Sequence, residues 1–85
     1  MIVKAIGAKW CNKCKEAKAF LTKYDVIEWI DLDINMEGTE MLDYFEEEHI
    51  PFFIAFNDVN HNLEVIRTFK SYRELAKWLE KISSE

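Results

Sequence analysis

Apolar and polar positions along the chain change period several times, and each change marks an element. Ile2, Val3, Ala5 and Ile6 make a short apolar run closed by Gly7, which predicts a strand of a largely buried sheet. Ala17, Phe20, Leu21 and Tyr24 then recur at helical spacing, with Lys13, Glu16 and Lys23 on other faces, and predict a helix from about 12 to 24. From Val26 to Asn35 the period becomes two. Its clean section sets Ile30, Leu32 and Ile34 against Asp31, Asp33 and Asn35, the signature of a second strand.

Gly38 and Thr39 open another helical pattern, with Met41, Leu42 and Phe45 as its apolar stripe, running to about Glu48. Glu46, Glu47 and Glu48 then fall in its last turn, where the helix dipole disfavours anions by roughly a few tenths of a kcal/mol each. A solvated acidic face is the simple reading of these three, and a partner-docking patch is the functional one.

Ile50-Pro51 holds the chain's single proline, and the uninterrupted run Phe52 to Phe56 behind it predicts a central strand. The turn-rich segment from Asn57 to Asn62 lets Leu63 to Phe69 return as an antiparallel partner. Ser71 with Glu74 forms a capping box, after which Tyr72, Leu75, Trp78, Leu79 and Ile82 mark a last amphipathic helix. The resulting order is βαβαββα. Alternation of this kind predicts an α/β fold in which a four-stranded mixed sheet carries three helices. Without repeats, low-complexity stretches or linkers, residues 1–85 are expected to form one domain.

Composition narrows the class. With 49% apolar residues, an 85-residue chain can bury a core without extra staples. No stretch approaches the roughly 20 apolar residues of a membrane helix, and no leader pattern opens the chain, so a soluble, cytoplasmic protein is expected. A net charge of -5 argues against nucleic acid as a partner. Its distribution is uneven: residues 1–24 carry six lysines against Glu16 alone, whereas residues 25–85 carry five basic and fifteen acidic side chains.

That positive segment surrounds Trp10-Cys11-Asn12-Lys13-Cys14, which contains both cysteines of the chain. At the first turn of a helix, the spacing leaves Cys11 by the unpaired N–H groups and the positive dipole end, which favour a thiolate. It puts Cys14 behind, within bonding reach. As a staple the pair is poor, because so short a loop removes little entropy from the unfolded chain. In a reducing compartment such a pair points to redox catalysis or to soft metal ligation. A Cys2His2 zinc site is hard to build, since eleven residues separate His49 from His61.

Ala8, Trp10, Cys11, Cys14 and Lys15 resemble the active-site segment of the thioredoxin superfamily in its small, glutaredoxin-sized form, and Ile50-Pro51 resembles its cis-proline loop. The likeness covers nearly the whole chain by element order. It implies a thioredoxin fold and a thiol–disulfide oxidoreductase with Cys11 as nucleophile and Cys14 as resolving thiol. It further implies that Pro51 is cis, that the Ile50 backbone and Trp10 face the substrate, and that Lys9, Asn12 and Lys13 modulate the thiols. The expected partners are a disulfide-containing protein and a reductase, with no metal, no bound cofactor and no membrane, for a protein acting as a monomer.

Three departures bear on the substrate. Asn12-Lys13 is neither the Gly-Pro common in thioredoxins nor the Pro-Tyr common in glutaredoxins. Ala5 replaces the buried aspartate that thioredoxins place six residues before the first cysteine, so proton transfer must use another group or water. Phe69-Lys70 occupies the region of the Gly-Gly pair that helps glutaredoxins bind glutathione. A glutaredoxin using glutathione as reductant is one alternative. A non-catalytic module docking a partner through Glu46 to Glu48 is another.

Overall fold

The computed structural model describes residues 1–60 and 62–83; His61 lies outside them. The elements are β1 (Ile2–Gly7), α1 (Asn12–Phe20), β2 (Ile27–Asp31), α2 (Met36–Tyr44), β3 (Phe52–Val59), β4 (Asn62–Phe69) and α3 (Tyr72–Ser83). They form one four-stranded sheet in the order β2-β1-β3-β4. β1 runs parallel to β2 and antiparallel to β3, and β3 runs antiparallel to β4. This is the mixed α/β sheet with three helices that the pattern predicts.

Each sheet face has its own core. Val3, Ala5, Phe53, Ala55 and Phe69 pack with Ala17 and Leu21 of the α1 side and with Leu75, Ala76 and Leu79 of α3. Ile6, Phe52, Ile54 and Phe56 pack with Leu42 of α2 on the other face. Residues of one strand therefore divide by parity, and the unbroken apolar run from Phe52 to Phe56 is buried on both sides. The Tyr72 hydroxyl bonds Glu16 and ties α1 to α3 outside the core, and the Tyr24 hydroxyl bonds Glu80 and ties the turn after α1 to the same helix.

The bounds of β2, α1, the hairpin strands and α2 differ from expectation, α2 spanning Met36–Tyr44 instead of about 38–48. β2 stops at Asp31, and Ile34 is 81% exposed instead of facing the core. The polar residues of the apparent alternation are turn formers: Asp31 Oδ1 accepts the Asp33 N–H at 2.9 Å, and Asn35 caps α2 by accepting the Glu37 N–H at 2.9 Å. Next, α1 ends at Phe20, where the Thr22 hydroxyl donates to the Lys18 and Ala19 carbonyls and closes the last turn. The hairpin strands are longer than expected, because Asn57, Asp58 and Val59 pair with Glu64, Leu63 and Asn62, leaving Asn60 at φ 52 at the tip.

The acidic trio also lies elsewhere than expected. Glu46 sits past the end of α2 at φ 54, and the Glu47 N–H reaches back to the Leu42 carbonyl at 2.9 Å while the Glu46 N–H reaches Asp43. That pair of bonds is a Schellman C-cap, with glutamate in the left-handed position more often held by glycine. Beyond it, the Glu47 side chain turns inward on the next loop. Its carboxylate accepts the Glu48 and His49 N–H groups, meets His49 Nδ1, and pairs with Lys70 Nζ at 3.2 Å. Glu47 is thus part of the fold, not of a solvated acidic face.

Candidate active site

Cys11 occupies the N-cap of α1, with φ -91 and ψ 112. Its backbone N–H donates to the Ala8 carbonyl at 3.2 Å, and its own carbonyl accepts the first helical bond from Lys15. The side chain is used as a cap: Sγ accepts the Cys14 N–H at 3.2 Å, so sulfur takes the place usually filled by a serine or aspartate oxygen. No acidic residue lies in the first turn to offset the positive end of the helix. The thiol is partly exposed, and it faces the Ile50 carbonyl oxygen at 3.9 Å.

The Ile50-Pro51 bond is cis. Pro51 is buried at the entry to β3 and Ile50 is half-buried, and the loop brings the Ile50 main-chain carbonyl to the Cys11 sulfur. Glu47, three residues upstream, anchors this loop by accepting the Glu48 and His49 backbone N–H groups and by pairing with Lys70 at the β4–α3 junction. The hydrogen bond to Lys70 holds the Glu47 carboxyl below its ordinary range, with His49 acting in the same sense.

Cys14 sits one turn into α1 and is only 4% exposed. Burial pushes its thiol up to about 12. The hydrogen bond with Cys11 and the charge on Cys11 act in the same direction, while a bond from the Ala8 backbone opposes them. The thiol rests on Gly7. A Cβ there would stand 3.2 Å from Cys14 Sγ, 3.3 Å from its Cβ and 3.4 Å from a ring carbon of Trp29, so glycine is what admits the close approach. Behind Cys14 a cleft of about 230 Å³ runs between α1 and the β1–β2 edge, lined by Lys9, Lys15, Lys18, Trp29 and Asp31 among others.

The remaining expected residues gather near this centre in different ways. Trp10 keeps 67% of its surface open, more than packing within the fold would leave, and its indole N–H donates to Asp33 Oδ1 at 3.3 Å. Lys9 reaches the mouth of the cleft beside Cys14. Asn12 and Lys13 stand exposed on the first turn of α1. Ala5 is fully buried between Trp29 and Phe53, its register partners on β2 and β3. Among the described residues no buried side chain is polar or charged, and no group of three His, Cys, Asp or Glu residues could hold a metal. Nor is any described helix long and apolar enough to cross a membrane.

Sequence reasoning missed Asp33, Glu47, Gly7 and Asp31 as parts of the site. One signal was available: Gly7 is one of two glycines in the chain, and it closes a strand four residues before Cys11. Nothing local marked Asp33 or Glu47, whose partners lie far along the chain.

No protein-family model matches this chain, and no curated protein sequence matches it. Solved structures do. A thioredoxin from Plasmodium falciparum is 23% identical, with 94% of this chain and 69% of that one covered at a TM-score of 0.69. A thioredoxin from Trichomonas vaginalis is 17% identical, with 95% and 78% covered and a TM-score of 0.71. A third, from Thermus thermophilus, is 16% identical, with 96% and 72% covered at 0.68. At these identities the likeness establishes the fold, and the chain has the thioredoxin fold.

Proposed function

We propose that this thioredoxin-fold protein is a dithiol–disulfide oxidoreductase that cycles Cys11 and Cys14 between dithiol and disulfide. One observation carries the reading: the Cys11 sulfur caps α1, bonded to the Cys14 N–H and facing the Ile50 carbonyl, with the Cys14 thiol buried behind it. The two thiols therefore have separable roles. An accessible sulfur at the positive end of a helix suits attack, and a shielded, protonated sulfur suits resolution.

In the forward reaction the Cys11 thiolate attacks one sulfur of a substrate disulfide. A Cys11–substrate bond forms, the substrate S–S bond breaks, and the first substrate thiolate leaves and takes up a proton. Cys14 then loses its proton and attacks Cys11 Sγ. The Cys11–Cys14 bond forms, the bond to substrate breaks, and the second substrate thiol is released. Two electrons pass from the protein to the substrate, and a reductase or thiol must return them.

The exposed Trp10 beside Cys11 and the Ile50 main chain facing it support an extended polypeptide as substrate. We place a flavin reductase ahead of glutathione as electron donor, because Lys70 is engaged by Glu47 and Phe69 is buried. The test is alkylation of the reduced protein with insulin disulfide reduction measured beside it. Cys11→Ser should abolish both fast alkylation and reduction. Cys14→Ser should keep fast alkylation and accumulate a mixed disulfide visible by mass. Slow, equal alkylation of both thiols with no insulin reduction sinks the reading.

A further inference from the structure

The resolving step needs a proton acceptor, because Cys14 is buried and holds its proton far above neutral pH. The position that would put a carboxylate under the sheet is closed: Ala5 is wedged between Trp29 and Phe53. The groups around Cys14 are few. Cys11 and the lysines Lys15 and Lys18 lie on α1, Lys9 precedes the helix, and Asp31 ends β2. As ammonium groups the lysines only donate. Among the described residues, Asp31 is the one carboxylate that lines the cleft.

Strand register puts it within reach. Asp31 is the parallel partner of Gly7, so both residues address the same sheet face, and Gly7 is the residue that Cys14 Sγ rests on. Because Gly7 has no side chain, nothing from β1 stands between the Asp31 position and the thiol. One carboxylate oxygen is committed to the Asp33 N–H, which fixes the side chain and leaves the other free. The cleft is roomy enough for bridging water.

We propose that Asp31 is the proton acceptor for Cys14, acting through the cleft behind the cysteine pair. This rests on the redox reading of the site. In the resolving step the Cys14 S–H proton passes to the Asp31 carboxylate by way of cleft water as Sγ bonds Cys11 Sγ, and the electron pair of the Cys11–substrate bond leaves with the substrate sulfur. Asp31 returns the proton to solvent, or to the substrate thiolate, through the same cleft. Lys9, Lys15 and Lys18 favour the thiolate as it forms.

The experiment is stopped-flow reaction of the reduced protein with 5,5′-dithiobis(2-nitrobenzoate), which releases one coloured thiolate when Cys11 attacks and a second when Cys14 resolves. In the wild type, acceptor assistance makes the second phase nearly independent of pH from about 6 to about 9. Asp31→Asn keeps an oxygen for the Asp33 N–H. It should leave the first phase unchanged, slow the second about 100-fold near neutral pH, and make it rise tenfold per pH unit. Asp31→Glu should restore much of the second phase.

A second phase in Asp31→Asn with the wild-type rate and profile overturns the proposal. So does a wild-type second phase that already rises tenfold per pH unit, a result independent of whether any variant folds. If the wild type shows no first phase, the redox reading itself has failed, a different outcome from either.

Discussion

The two cysteines lie three residues apart and live in different chemistry. On the front side, Cys11 is met by backbone groups, the Cys14 N–H and the Ile50 carbonyl, and the loop that supplies the carbonyl is held by charge through Glu47 and Lys70. On the back side, Cys14 rests on Gly7, which also stands against Trp29 of the Trp29–Ala5–Phe53 row of the sheet, and the support is packing. The front should therefore respond to acid pH and salt, and the back to changes in volume and to alkaline pH. One short helix turn joins a half-site held by backbone bonds and charge to one where the buried thiol is held by packing, with a charged cleft behind it.

The largest way to break the contrast is from behind. Phe53 is fully buried and meets the edge of Trp29 with ring centroids 6.0 Å apart. Phe53→Ala should cost about 4 kcal/mol in denaturant unfolding and expose Cys14 to alkylation. Gly7→Val is expected to cost about 2 kcal/mol, because the added methyl groups must displace Cys14 Sγ or Trp29. In that variant the balance of alkylation between the two thiols should also shift, a result that a purely global loss of stability would not produce.

Alkaline titration sharpens the same comparison. The Cys14 thiol is raised from 9.0 to about 12 in the folded protein. Above about 9 the unfolded chain gives up this proton while the folded chain keeps it, so stability of the reduced protein should fall as pH rises through that window. In Cys14→Ala that part of the slope should vanish, and an unchanged slope would mean that the thiol is not shielded.

The front-side test is the gentlest. A lowered Glu47 carboxyl contributes stability above the ordinary value of 4.5, and the contribution is lost as pH falls through the folded value. Glu47→Gln should shallow the acid limb of the unfolding curve. It should also speed hydrogen exchange at the Glu48 and His49 amides while leaving the Cys14 side unmoved.

Much of this was legible in the chain, and the exceptions share a cause. Periodicity located all seven elements, because each core face is built by parity within a strand or by a helical stripe, both local properties. The cysteine pair and its single downstream proline were legible as spacing and as a resemblance. The end of β2 was misread because Asp31, Asp33 and Asn35 alternate with apolar residues just as a strand does, and only their side-chain bonds to backbone N–H groups show that they turn the chain. Glu47 looked like one of three surface acids until the fold brought Lys70 to it. Asp31 could not be picked out before the register of two strands was known.

All of the chemistry hangs from one end of the sheet. Gly7, Asp31, Phe52 and Phe69 stand there together, and the four segments that follow or precede them carry Cys11, Cys14, Asp33, Glu47, Ile50 and Lys70. At the opposite end are Ile2, Ile27 and the hairpin tip at Asn60. That end is a handle. Extra residues spliced in at Asn60 would lengthen a surface connection at an entropic cost that grows only with the logarithm of loop length. A peptide tag or a reporter inserted there should leave the thiol chemistry as it was, which makes the hairpin tip the place to attach this protein to a surface or to another domain.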